Sequence, residues 1–371
     1  MKQTLIAITL ALLFLAACVQ VDTQTQPTKQ VVQPAEKAVV KIGATLPLTG
    51  DLAFLGEASK DALELSLKEV SGTKYKYELV FEDDKLDPKL AATAATKLIS
   101  VDNVDAIVSI SSGIGNVVSP IADQNKVIHF SSAASDANVA KGPLNFIHWT
   151  PPDEEGKIWV KEAQSRGYKR IAIIAMQQQG AIAIKDSMKK YLPGTGMEVV
   201  SEQLYNIGDK DFKTLITKAQ QSKPDVYFLM AFSPELDILH KQMKDLGVKE
   251  PISGIESFEL SDDPSQFEGE WYINAADTSN EFIEKYTAAY GKNPQLGAAN
   301  SYDILKLIVE GYEKAGKDAS VKPSHEAVAD AIMQITDFKG ALGTVRVEED
   351  GIVWSPASVR IIQDGKPATL K

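Results

Sequence analysis

The sequence predicts an α/β protein made of two doubly wound parallel-sheet units in series. Three observations carry that expectation. Short β-rich runs alternate with helix-patterned runs from Val39 onward, the same rhythm restarts after Thr150-Pro151-Pro152, and no short-period repeat suggests a solenoid. Beyond its first residues the chain keeps about 350, enough for two domains of ordinary size.

Val39–Leu46 reads as a buried strand, and Glu57–Val70 repeats apolar residues at helical spacing. Glu78–Glu82 is a second strand. Asp87-Pro88 then opens a helix, with Asp as cap and Pro at the first helical position, where its missing N–H removes no bond. Strands over Ala106–Ser109 and Val127–Phe130 flank a helix near Gly115–Gln124. After Pro152, helix is predicted at Glu154–Arg166, strand at Arg170–Ala175, helix at Ile182–Tyr191 and strand at Glu198–Leu204. Helix at Phe212–Gln221, strand at Asp225–Met230 and helix at Pro234–Leu246 continue the series, and Pro251-Ile252-Ser253 is strand-like. Helices at Glu281–Tyr290 and Tyr302–Ala315 precede a strand-rich stretch, Gly343–Ile362. Alternation at this spacing means parallel sheets covered by helices on both faces. Ligands bind beyond the carboxyl ends of such strands, so two facing units make a cleft floored by strand-to-helix turns from both.

The amino end carries a different signal. Lys2, the uncharged apolar run Leu5–Leu15 and the small-residue exit Ala16-Ala17-Cys18 together read as a secretory signal over residues 1–17. The run is too short to span a bilayer, which takes ~20 residues. Residues 18–38, rich in Gln, Thr, Val and Pro, read as a tether with an r.m.s. reach of ~25 Å. Cys18 is the only cysteine, so a disulfide is not expected. A net charge of −11 argues against nucleic-acid binding.

Two turns suit an anion. Ser111-Ser112-Gly113 sits at a strand end before a helix, offering backbone N–H groups, a hydroxyl and the positive end of the helix dipole. Ala133-Ala134-Ser135 is a second turn of that type on the neighbouring strand. Both equally suit plain helix capping.

Several motifs, in order and spacing, resemble type I periplasmic binding proteins of the leucine/isoleucine/valine-binding kind. They are Ile42–Gly50 with Gly56, Asp83–Pro88, Phe130–Ser135, Tyr290–Pro294 with Ser301-Tyr302-Asp303, Phe338–Gly343, Asp350-Gly351 and Asp364-Gly365-Lys366. The Leu15-Ala16-Ala17-Cys18 end likewise resembles a bacterial lipobox, which implies lipid on Cys18 and attachment to a membrane surface. The family resemblance implies two lobes joined by a three-crossover hinge: residues 39–150 with 276–340 in the first, 151–275 with 341–371 in the second. It also implies a monomeric receptor that closes on one small solute, an amino acid or analogue, and delivers it to an ABC permease, without catalysis or cofactor. In amino-acid-binding relatives, positions matching Ser112, Ala133 and Ser135 hold the solute carboxylate, and the position matching Glu256 meets its ammonium group. Leu55, Gln179 and Phe232 fall where branched-chain binders carry tyrosines, which leaves the solute's side chain open. Trp149, at the first crossover, either shields the solute or packs the hinge.

An enzyme is not expected. Ser71-Gly72-Thr73-Lys74 has Ser-x-x-Lys spacing but lies in a polar turn, and no Gly-x-Ser-x-Gly elbow occurs. The four histidines are scattered without metal-ligand spacing. The alternative that stays open is a lipid-anchored sensor, or a partner of envelope enzymes, using the same fold.

Overall fold

The structure is a computed structural model that describes residues 36–370 apart from Asp51 and Asp262. The leader, Cys18 and the tether up to residue 35 lie outside the described residues. The first sheet receives β1 (Val39–Leu46), β2 (Lys76–Asp83), β3 (Ala106–Ile110), β4 (Ile128–Ser132) and β5 (Asn145–His148). These are joined by α1 (Ala53–Glu69), α2 (Pro88–Ser100) and α3 (Ser112–Gln124). A second sheet takes β6 (Arg170–Met176), β7 (Glu198–Tyr205), β8 (Val226–Met230) and β9 (Ile252–Gly254). Its helices are α4 (Pro152–Ser165), α5 (Gln179–Lys190), α6 (Lys213–Gln221) and α7 (Glu235–Asp245). After β10 (Trp271–Asn274) come α8 (Asn280–Tyr290), α9 (Ala298–Ala315) and α10 (His325–Met333). Short strands close the chain: β11 (Phe338–Gly340), β12 (Gly343–Val347), β13 (Ile352–Trp354), β14 (Ser358–Gln363) and β15 (Lys366–Thr369).

The eight-stranded sheet has the order β11-β12-β13-β5-β4-β3-β1-β2, parallel from β13 through β2. Successive residues of β3 serve opposite faces, as a strand's pleat dictates. Ala106, Val108 and Ile110 join the core under α1 and α9, while Ile107 joins the one under α2 and α3. The second unit is a parallel sheet, β7-β6-β8-β9. It is extended by the antiparallel set β10-β14-β15 through a bridge between Ile255 and Ile273. Asp87 caps α2 by accepting from Lys89 N (2.8 Å) and Leu90 N (3.0 Å), with Pro88 at the first helical position.

Two boundaries differ from the sequence reading. The return expected near Gly340 falls instead at Ser355-Pro356-Ala357, because β12 and β13 stay in the first sheet. β13 pairs in parallel with β5, Ile352 opposite Ile147 and Val353 opposite His148, and the buried Val353 belongs to the first core. The segment 341–354 therefore packs with the first unit, and 358–369 with the second. At the amino end, Ala38, assigned to the tether by composition, donates its N–H to Ala319 O (2.7 Å) and leads straight into β1.

Where the chain passes between units, Thr150 ties the passages together. Its hydroxyl accepts from Ala276 N (3.0 Å) and shares a hydrogen bond with Ser355 Oγ (2.9 Å), linking the first, second and third crossings.

Candidate functional site

Left-handed backbone at non-glycine residues follows several strands, and three of these positions fall at the proposed ligand turns. Ser111 after β3 has φ 76°, Ala133 after β4 has φ 50°, and Glu256 after β9 has φ 56°. None is glycine, and non-glycine residues held there cost about 1 kcal/mol or more and cluster at ligand-binding turns.

In the first unit, Ser112 and Ser135 meet directly. Ser112 Oγ accepts from Ser135 N (2.9 Å) and Asp136 N (3.1 Å), so the two donor-rich turns are stapled by one buried hydroxyl. A hydroxyl that accepts twice still has its own proton to donate. Ala133 sits half-buried in the same turn. Facing this staple is the start of α5 in the second unit. A Cβ on Gly180 would stand 2.9 Å from Ser112 Oγ, so glycine permits the approach of the two turns. Gln179, beside it, is exposed at the first position of α5, and Gln178, not Gln179, caps that helix by accepting from Ala181 N (3.0 Å). Leu55 and Phe232 are half-buried and pack on the first and second cores respectively.

In the second unit, α4 sets the site. Trp159 stacks on Trp271 at 5.7 Å, meets Phe228 edge-on at 5.1 Å, and donates Nε1–H to Ser253 Oγ of β9 (3.0 Å). One turn earlier on the same helix face lies Glu155, which this anchoring brings over the end of β9, where Glu256 follows. The turn is fixed by Glu256 N donating to Ile273 O (2.8 Å). The Glu256 carboxyl accepts from Trp149 Nε1–H and faces the carboxyl of Glu155. Trp149, Glu155 and Glu256 are all buried. Burial raises the pKa of Glu256, against the lowering pull of the adjacent Glu155 carboxyl and of the hydrogen bond from Trp149, with Glu259 adding to the rise. Glu155 is pushed well above the usual carboxylate value, first by burial and then by the charge of Glu256.

Trp149 also borders a cavity of about 210 Å³ beside the first two chain crossings, at Thr150 and at Ala275-Ala276. Polar groups from Thr150, Glu259, Asn274, Gln295 and Asn300 line it. Glu259 does not stand free there, since it accepts from Asn274 Nδ2 (2.7 Å) and Tyr272 Oη (2.8 Å). Of the residues the sequence proposed for the site, Trp149 alone is on this lining.

The sequence model of the periplasmic binding protein family matches residues 39–366. The chain belongs to the periplasmic binding protein family. It is 27% identical over 338 residues to the Leu/Ile/Val-binding protein BraC3 of Rhizobium johnstonii, covering 86% of this chain and 90% of that one. It is 25% identical to Leu/Ile/Val-binding protein homolog 3 of Brucella melitensis, covering 87% and 91%. Among solved structures, a leucine-binding protein LivK from Thermotoga maritima superposes with TM-score 0.81 at 24% identity, over 90% of this chain and 98% of that one. A solute-binding protein of an ABC transporter from R. palustris, in complex with benzoate, superposes with TM-score 0.78 at 20% identity, over 90% and 96%. This periplasmic binding protein therefore shares its fold both with a leucine-binding protein and with a solute-binding protein in complex with benzoate.

Glu155, Asn274, Gln295 and Asn300 escaped the sequence reading. Glu155 lies in Asp153-Glu154-Glu155, which reads as an acidic first turn favoured by the helix dipole and exposed to water. Nothing in the sequence separates it from its two neighbours.

Proposed function

We propose that this chain is an extracytoplasmic solute-binding lipoprotein of an ABC importer that takes an amino acid, or an analogue of one, between its lobes and passes it unchanged to a permease. The observation that supports the reading is the buried Glu256 carboxyl receiving an N–H donor from across the lobe junction. Trp149 Nε1–H stands where a solute ammonium group would bind, and an ammonium enclosed between lobes needs such a counter-charge. Opposite, Ser112, Ala133 and Ser135 offer a hydroxyl proton and turn backbone to the solute carboxylate. Leu55, Gln179 and Phe232 border the side-chain end, and lobe 1 comprises 39–150 with 276–354 and lobe 2 151–275 with 355–371. Because solute can shift open toward closed only by its difference in affinity for the two forms, contacts from both lobes are needed.

The test is thermal unfolding of the full-length protein with L-leucine, L-isoleucine, L-valine, L-alanine or L-glutamine, against 4-methylpentanoate and benzoate. One of the amino acids at ~100 times its Kd is expected to stabilise by about 2.7 kcal/mol, a shift of several degrees. A shift with benzoate or 4-methylpentanoate and none with any amino acid overturns the reading.

The sensor or partner role has support of its own. The Trp149–Glu256 bond and the Ser112–Gly180 approach place the protein's own groups along the lobe junction. A chain unmoved by every small solute in that panel favours this second reading. For the anchor, replacing Cys18 by Ser is expected to move nearly all of the protein from the membrane fraction to the soluble one. Persistent sedimentation with membranes would exclude lipid at Cys18.

A further inference from the structure

Glu155 is fully buried, and neither of its carboxyl oxygens has a hydrogen-bond partner among the described residues. The charged group that acts on it is Glu256, another buried carboxyl. Two ionised carboxylates only accept hydrogen bonds, so nothing but repulsion would act between them. Adding one proton turns the same geometry into a charge-assisted O–H···O⁻ bond, which is among the strongest a protein makes. The surrounding charges do not supply an alternative. On α5, Lys185 pairs with Glu202 (2.6 Å) and Asp186 (2.9 Å), and Lys190 pairs with Asp153 at the surface. On β14, Arg360 pairs with Asp277 and lies 3.6 Å from Glu259. Glu259, on the turn after Glu256, is negative and opposes ionisation of the pair. The amino-terminal dipole of α4 favours negative charge, but it is shared with Asp153 and Glu154 in the same first turn.

We propose that Glu155 and Glu256 hold one proton between them in the solute-free protein, and that a protonated amine entering against Glu256 expels this proton to solvent. The inference rests on Glu256 being the ammonium site. The charge balance is simple: the pair carries −1 with its proton, gains +1 from the ammonium, and loses the proton, so the filled site is two carboxylates facing one cation. Glu155 thereby sets selectivity for cationic nitrogen. A solute lacking an amine cannot displace the proton and meets a site that already has its hydrogen bond. Release of one proton per solute makes affinity rise with pH, by up to about tenfold per unit while the pair remains protonated. Without Glu155 the slope disappears.

The experiment is calorimetric titration of the full-length protein at pH 7 with whichever of the five amino acids above gives the largest thermal shift. It is run in phosphate and in Tris, whose ionisation heats differ. The wild type is expected to release about one proton per solute bound, and Glu155→Gln close to none. Infrared spectra of the solute-free proteins give a second readout. Glu155→Gln is expected to lose part of the protonated-carboxyl band, whereas Glu256→Gln keeps it, because Glu155 alone in that site stays neutral. Glu270, pushed up to about 7 by burial, contributes to the band in all three. Binding without proton release, or an infrared band unchanged in Glu155→Gln, overturns the proposal and leaves the ammonium site standing. No binding of any amino acid overturns the ammonium site itself, and the proposal with it. Should Glu155→Gln fail to fold, the buffer comparison on the wild type decides alone.

Discussion

Replacing Glu256 by Gln is expected to weaken the best-binding amino acid by at least about 100-fold while changing 4-methylpentanoate or benzoate by less than about threefold. Truncating one partner of a buried, hydrogen-bonded charge pair costs about 2–5 kcal/mol, because the remaining charge stays buried without its counter-ion. The amide keeps the size of the side chain and can still accept from Trp149, so the exchange isolates charge from shape. Isothermal titration of both solutes against both proteins gives the comparison. An equal loss for the amino acid and its deaminated analogue removes the ammonium assignment. Retained binding of both would place recognition elsewhere, with the cavity beside Trp149 as the next site to search.

Asp303→Ala is expected to be the most damaging single change near the hinge. Asp303, on α9, is fully buried and accepts from Ala341 N (2.6 Å) and Leu342 N (3.3 Å), holding the turn between β11 and β12. His148 Nε2, at the end of β5, lies 3.5 Å from the same carboxylate. Gly340 leaves room for this contact, since a Cβ there would stand 2.3 Å from Asp303 Oδ2. Alanine at 303 would leave two buried N–H groups without acceptors, at about 4 kcal/mol together, and lower Tm by roughly 6 °C. Calorimetric unfolding of the two proteins checks this, and a fall of under about 2 °C would show that water replaces the carboxylate. The loss matters for function because the turn feeds β12 and β13, which lead into the third passage between lobes at Ser355.

Long elements were legible because a helix of three turns or a fully buried parallel strand writes its period into many residues. β1, the Asp87-Pro88 start of α2, and α9 carry such marks. The four-residue strands β5 and β10, with Asn145, His148 and Asn274 among their members, do not. Neither does α10, whose nine residues follow the polar stretch Gly316–Ser324. The stretch Gly343–Ile362 was readable as strand but not as strand shared between two sheets, since only pairing with β5 or β10 decides where each part goes. At the site, the Ser112 and Ser135 turns were visible as donor-rich strand ends, and Glu256 came into view through the family resemblance. Their joining by a single hydroxyl was not visible, nor was the burial of Glu155.

By itself the sequence determined what repeats locally: strand and helix alternation, the acidic balance, and the order of motifs that placed the chain in its family. These are sums over neighbouring residues, so a linear reading reaches them. Tertiary structure alone decided that Thr150 binds all three passages between lobes, that Trp149 turns its N–H to Glu256, and that one glutamate of three in α4 loses its water. Such outcomes depend on which distant surfaces meet, and the ionisation of a carboxyl follows from the solvent and charges around it, which no run of adjacent residues encodes.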